Sequence, residues 1–227
     1  ATSDGRVLLF GGLTGSAGSP CTNKLWEFSD EGWKELETQG AGPGPRMYSA
    51  AACTATSMYV TGGWDPEAPG SGGTFKDEVF RLDLETLTWE AFPPMPCGPV
   101  SRHAACTAGD HVLVHTFRGL YVLDEQQGTF REQPTTGEAP GAVSMCAFST
   151  LGSSGHEALL FGGSTKTQEM NADASVLDTR SWAWRKLRRS GDGSGPSPRA
   201  SACAAAAGEA SCVVFGGAGL GSGGYEG

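Results

Sequence analysis

The sequence lacks an excess of positive charge, long apolar runs and the paired cysteines of a metal or disulfide framework. Its 227 residues carry 16 Lys and Arg against 25 Asp and Glu, a formal net charge of −9. Nucleic-acid binding draws on a basic surface that displaces counterions, so this balance argues against it. No apolar stretch approaches the roughly 20 residues needed to span a bilayer, and no signal-like segment opens the chain. The seven cysteines, at 21, 53, 97, 106, 146, 203 and 212, include no C-x-x-C pair, the spacing typical of zinc and redox dithiols. Asn23 and Asn171 are not followed by a Ser or Thr two residues on, so no N-glycosylation acceptor exists. These absences favour a reducing compartment, cytoplasm or nucleus. The start Ala1-Thr2-Ser3-Asp4, without Met, reads as an internal piece of something longer.

What is abundant is glycine, with 35 residues, joined by 13 prolines. Turn residues at that density suit many short strands. Apolar runs ending in a double glycine recur: VLLFGG at 7–12, MYVTGG at 58–63, ALLFGG at 158–163 and VVFGG at 213–217. In a fifth, degenerate copy, VLVHTF at 112–117, His115-Thr116 takes the glycine place. The period is about 51 residues, longer than a WD-type blade and near that of another propeller repeat.

Three further marks keep phase. An Asp is followed six positions later by an aromatic residue: Asp83 to Trp89, Asp124 to Phe130 and Asp178 to Trp184, with a shortened version, Asp30 to Trp33. An aromatic residue opens the same strand at Trp26, Phe80 and Tyr121, whereas Val176 replaces it in the Asp178 unit. A Pro-rich approach ends in Arg46, Arg102 and Arg199, and Pro140-Gly141 fills the slot without its Arg. In this order the marks resemble the kelch motif, and GAGPGPR and NKLWEF are similar to elements of free-standing eukaryotic kelch proteins. The resemblance implies an all-β kelch-type β-propeller over residues 1–227. Four to five repeats of four antiparallel strands are expected, at about 1–40, 41–96, 97–136, 137–193 and 194–227, as an incomplete ring tending to self-associate.

In that fold the inner strands, expected at 47–53, 103–108, 144–150 and 200–207, are small-residue strands because the blade narrows toward the channel. Cys53, Cys106, Cys146 and Cys203 read there as equivalent small core residues. The second strands read as buried on both faces and end at Gly11-Gly12, Gly62-Gly63, Gly162-Gly163 and Gly216-Gly217. Trp33, Trp89, Phe130 and Trp184 read as wedges between blades. Gly219 to Gly224 fits G-x-G-x-x-G, but no helix-forming segment follows, so a dinucleotide loop is rejected.

Catalysis finds little purchase. The four histidines, His103, His111, His115 and His156, form no H-E-x-x-H. His111 and His115 lie about 13 Å apart along a strand, too far to grip one metal easily. The E-x-x-x-D-x-x-x-H iron element of the similar plant specifier proteins has no counterpart, and four tyrosines are few for a copper-oxidase site. The expected role is a protein-interaction scaffold or adaptor that presents loops to a partner protein, without enzyme activity, metal or cofactor, nucleic acid or membrane. The alternative is a kelch-fold enzyme, of small-molecule or metal-assisted lyase type, with its site on the propeller face. Variable loops at 13–22, 64–74 and 164–172 are the expected recognition segments. Candidate partner contacts are Arg46, Trp64, Asp65, Arg102 and Arg199, with blade-edge packing open for Trp64 and carboxylate pairing between blades open for the arginines. The basic run Arg180, Arg185, Lys186, Arg188, Arg189 and Arg199 reads as a solvated outer strand, or else as a patch for an acidic partner.

Overall fold

Double glycines and Asp-headed turns chop the chain into short strands, and the structure, a computed structural model, is built from strands and turns. It describes all residues except 1, 3–4, 16–18, 69–71, 153–154, 189–193, 210, 222–223 and 227. Among the described residues no helix is long and apolar enough to cross a membrane. The chain divides into two compact units, Ala1–Arg102 with Leu123–Arg131, and His103–Val122 with Glu132–Gly227.

In the first unit, β1 (Val7–Phe10), β2 (Leu25–Ser29) and β3 (Gly32–Leu36) make an antiparallel sheet. A second sheet has β4 (Ala50–Cys53) and β5 (Ser57–Thr61); after a two-strand ribbon, β6 (Trp64–Asp65) with β7 (Thr74–Phe75), it is completed by β8 (Val79–Asp83) and β9 (Thr88–Phe92). The third repeat supplies β10 (Ala104–Ala108), β11 (His111–Thr116), β12 (Gly119–Asp124) and β13 (Thr129–Glu132). In the second unit, β10, β11 and β12 pair antiparallel. There β14 (Thr136–Gly137) joins β15 (Ala147–Leu151), β16 (Glu157–Phe161), β17 (Ala174–Asp178) and β18 (Ala183–Lys186). The last sheet has β19 (Ala200–Ala206), β20 (Cys212–Gly221) and β21 (Gly224–Glu226). Of the Gly219–Gly224 stretch, residues 219–221 end β20 and Gly224 opens β21, while Ser222 and Gly223 lie outside the described residues.

Three of the four inner strands start later than their composition suggests. Tyr48, Arg102, Met145 and Ser201 all have φ between 54° and 60°. A left-handed residue breaks extended pairing, so strand ladders begin about two residues further on in three of the four repeats. This residue sets the true repeat phase and corrects three alignments. Arg102 matches Tyr48, and Val100 holds the place of Arg46 and Arg199: Gly12, Gly63 and Gly163 donate to the carbonyls of Arg46, Val100 and Arg199. Thr116-Phe117, rather than His115-Thr116, occupies the double-glycine place, because Ala104 pairs with His115 as Ala50 pairs with Thr61. Ser175, not Val176, replaces the strand-opening aromatic, since it stands three residues before Asp178 as Phe80 does before Asp83. The four inner-strand cysteines stand at four different distances from the left-handed residue, so they are not equivalent, and Cys203 is exposed.

The Asp residues hold the third-to-fourth strand turns. Asp83 Oδ1 accepts from the Glu85 and Thr86 amides and the Thr86 hydroxyl, Asp124 Oδ1 from the Gln126 and Gln127 amides, and Asp178 Oδ1 from the Arg180 amide. A side chain that mimics a backbone acceptor fixes such a turn.

Packing follows one rule in both units. In the first, Leu8, Phe10 and Leu36 pack onto Met58, Val60, Leu82 and Trp89. Phe10, just before a double glycine, meets Trp89 edge-on at 5.6 Å. In the second, Ala104, Cys106, Leu113, Leu120 and Val122 cluster with Ala158, Leu160, Leu177 and Trp184. His115 stands where Phe10 does and meets Trp184 edge-on at 6.4 Å. Trp89, Phe130 and Trp184 are buried, and each such ring contributes about 5 kcal/mol of gross burial. Trp33 departs from the expected wedge: it is 55% exposed and tilts against Phe28.

Candidate functional site

Among the described residues the second repeat carries a two-stranded ribbon where the first and fourth have single bridges, Leu13 with Cys21 and Ser164 with Met170. After Gly62-Gly63 the chain continues as β6, turns back, and pairs Trp64 with Phe75 and Asp65 with Thr74 in β7. Trp64 also exchanges both backbone hydrogen bonds with Met47 (2.7 and 2.9 Å). Its neighbour Tyr48 takes a φ of 58°, which turns that side chain out of the inner strand. The bridge and the left-handed turn bring Tyr48 over Trp64 with rings nearly parallel, 17° apart at 6.5 Å. Trp64 also lies 6.3 Å from Phe75, with the rings tilted by 33°. Its indole Nε1 donates to the Gly72 carbonyl at 3.2 Å, which pins the ribbon against the ring.

Arg102 completes the row. Its amide donates to the Tyr48 carbonyl at 3.0 Å, and its guanidinium carbon sits 4.0 Å from the centre of the Tyr48 ring. At that distance the planar cation rests on the ring face, an arrangement available to Arg and not to Lys. Tyr48 is 43% and Phe75 51% exposed, while Trp64 is half-buried. The result is a row Arg102–Tyr48–Trp64–Phe75, a cation followed by three rings.

The other candidate contacts have structural employment. Arg46 is 2% exposed and donates to the Gly44 and Gly62 carbonyls and to Glu78 Oε2 at 2.6 Å. Its guanidinium also stands 5.6 Å from the Phe80 ring. Burial takes Arg46 out of the contact set, and its carboxylate partner lies in its own repeat rather than across blades. Asp65 lies 3.7 Å from Lys76 and accepts the Glu67 amide, so it shapes the ribbon turn. Arg199, in the other unit, donates to the Gly216 carbonyl at 2.7 Å, repeating the Arg46 bond to Gly62. Trp64 and Arg102 are thus joined in one site, and sequence reasoning missed Tyr48 and Phe75. Phe75 had a signal: it ends the longest Gly-containing loop and alternates with Thr74 as a strand residue would.

Three members of the basic run pair with carboxylates of their own repeat. Arg180 pairs with Asp178, Arg185 with Glu157 and Lys186 with Asp173; Arg189 lies outside the described residues. An open groove of about 340 Å³ beside it is lined by Leu151, Leu159, Leu187 and the Arg185–Glu157 pair.

One thiol and one imidazole meet in the second unit, Cys146 Sγ and His115 Nδ1 at 3.8 Å. Burial lowers the His115 pKa to about 4 and pushes the Cys146 thiol up to about 12. Both are neutral between those limits, the reverse of the thiolate–imidazolium state that nucleophilic catalysis uses. Among the described residues no group of three or more His, Cys, Asp or Glu could hold a metal ion.

Comparison with known proteins agrees with the repeat. The KLHDC2/KLHL20/DRC7 Kelch-repeats domain matches residues 1–116. Acyl-CoA-binding domain-containing protein 5 of Arabidopsis thaliana is 25% identical over 79% of this chain and 28% of its own length. Kelch domain-containing protein 3 of Homo sapiens is 26% identical over 83% of this chain and 52% of its own. N-(sulfonatooxy)prop-2-enimidothioate sulfolyase of Thlaspi arvense is 39% identical over 94 residues, 40% of this chain and 26% of that protein. The chain spans between about a quarter and about a half of the first two relatives.

Proposed function

Since the chain belongs to the kelch-repeat family, we propose that it works as a protein-interaction module whose contact surface is the Arg102–Tyr48–Trp64–Phe75 row. The observation that carries this reading is the pairing of exposure with rigidity. Aromatic side chains normally bury themselves, yet Tyr48 and Phe75 stay open while bridges, ribbon pairing and ring stacking fix them in place. Rigid aromatic anchors flanked by Arg are what binding hot spots are made of, because little side-chain entropy is lost on contact. The row suits a partner segment that lays an apolar side chain on the rings and a carboxylate beside the guanidinium. Such binding needs no cofactor, and a cytoplasmic or nuclear setting is supported by seven cysteines that are all free thiols.

The test places a photo-crosslinking amino acid at Phe75 and compares the partner trapped with and without Arg102→Ala, Tyr48→Ala or both. Loss of roughly tenfold or more of the trapped partner, with the unfolding transition unchanged, is the expected result. Unchanged trapping in the double variant overturns the assignment. The enzyme alternative draws on the sulfolyase likeness alone, and a turnover assay of the double variant against the unmodified chain separates the two readings.

A further inference from the structure

We infer that the partner joins the ribbon as an added strand, an extended segment that pairs with the open edge of β7 at Phe75. This deepens the binding reading and rests on it: the row supplies the surface, and the edge dictates the backbone shape of what binds there.

Strand periodicity fixes which way the backbone groups of β7 point. Asp65 pairs with Thr74, and the Lys76 amide donates to the Gly63 carbonyl at 2.9 Å. Successive residues of a strand turn their N–H and C=O to opposite sides, so Thr74 serves β6 and Phe75 faces away from it. The ribbon sheet holds β6 and β7 alone. Two residues on, the Asp77 carbonyl accepts the Met95 amide at 2.7 Å; among the described residues Phe75 makes no such bond.

Side chains sort by the same alternation. Trp64 and Phe75 share one face of the ribbon, and Asp65 and Thr74 share the other. Lys76, a residue type that guards edges by repulsion, instead reaches across the ribbon to Asp65 at 3.7 Å. The edge is also held in shape, since the Trp64 indole donates to the Gly72 carbonyl and Trp64 exchanges backbone bonds with Met47.

A donor and an acceptor side by side on one residue are matched by the acceptor and donor of one residue in another extended chain. An edge strand of two residues admits such a bonded pair and is too short to template open-ended stacking. The residue opposite Phe75 lies on the aromatic face, where an aromatic or β-branched side chain packs on the exposed ring. Its two neighbours fall on the polar face. The partner segment is therefore extended, with one aromatic or β-branched residue between two polar ones. Repeats of such a fold touch only their neighbours. The second repeat has the first and the third beside it in the sequence, so the openness of this edge does not depend on further repeats at either end.

The probe is a phage-displayed library of random peptides, selected on the chain. Counter-selection on the double variant Arg102→Ala, Tyr48→Ala keeps only peptides held by the row. Two readouts follow with a retained peptide. One is hydrogen exchange of the Phe75 amide by NMR, with and without peptide. The other is affinity for a chain carrying a backbone ester at residue 75, which keeps the ring and removes the N–H donor. The Phe75 amide is expected to exchange fast in the free chain and roughly tenfold slower or more in the complex. The ester is expected to weaken binding roughly fivefold. The exchange readout needs no variant, so it decides the matter if the ester chain does not fold. An empty selection overturns the row as a binding surface, and strand addition with it. Retained peptides that bind a folded ester chain as tightly, or leave Phe75 exchange unchanged, overturn strand addition and leave the row standing. A Phe75 amide already protected in the free chain does the same.

Discussion

His115 occupies against Trp184 the place that Phe10 occupies against Trp89, an imidazole doing the packing of a benzene ring. Burial keeps that imidazole neutral, with its pKa lowered to about 4. The pH consequence follows from which state binds the proton. The unfolded chain protonates its histidine near 6.5 and the folded chain does not, so stability falls as pH drops from about 6.5 to about 4. At full extent the loss is about 3 kcal/mol. His115→Phe restores the ring that the first repeat uses. Denaturant unfolding at a series of pH values is expected to show a slope shallower by one proton across that window.

Asp83 and Asp178 act in a different window. Turn amides and hydroxyls hold both carboxyls below their ordinary range. A depressed carboxylate stabilises above its unfolded pKa, and that contribution is lost as pH falls below about 4. In Asp83→Asn the residual acid limb flattens while the His115 window is untouched, and the same pH series reads both.

Much of this fold could be read from the chain. Double glycines, Asp-to-Trp spacing and small-residue strands are local requirements, so each leaves a local mark. What could not be read depends on partners. The phase of Arg102 was hidden because the left-handed residues are Tyr, Arg, Met and Ser, none of which announces positive φ as glycine does. Trp33 carries the Asp-to-aromatic mark in shortened form, and its exposure is decided by what lies on its sheet. The binding row joins three segments, near 48, 64–75 and 102, that no single window of sequence contains.

Arg46 and Arg102 separate stability from recognition. Arg46→Ala removes three hydrogen bonds and the contact with Phe80, leaving the Gly62 carbonyl without its donor. The expected cost is about 3 kcal/mol by urea denaturation. Glu78→Gln costs about 1 kcal/mol or less, because the carboxylate is 44% exposed. Arg102→Ala leaves the midpoint unchanged and weakens partner capture.

Two glycines test how successive repeats are stitched. Gln39 bridges Thr88 in parallel and Thr136 pairs Ala183 in the same sense. Gly40 and Gly137 follow with φ of 76° in both, and a Cβ on either would strike the carbonyl oxygen of Trp89 or Trp184. Backbone cannot yield as a flexible side chain does, so Gly40→Ala and Gly137→Ala each cost about 2 to 4 kcal/mol. Gly44→Ala, with open space around it, is the control and is expected to be near neutral.

Gly73 puts the binding row itself to the test without replacing any of its rings. It holds φ at 74°, and an added Cβ would lie 2.5 Å from the Asp65 carbonyl oxygen and 2.7 Å from the Trp64 indole nitrogen. Gly73→Ala must therefore displace the turn that seats Trp64 against Phe75. The ribbon is outside the first unit's buried core cluster, so the unfolding midpoint is expected to move little. Partner trapping at Phe75 is expected to fall roughly tenfold, as for loss of an anchor residue. Were trapping to survive a displaced ribbon, recognition would have to come from a different surface, and Tyr48 would be left as a packing residue whose exposure has no role.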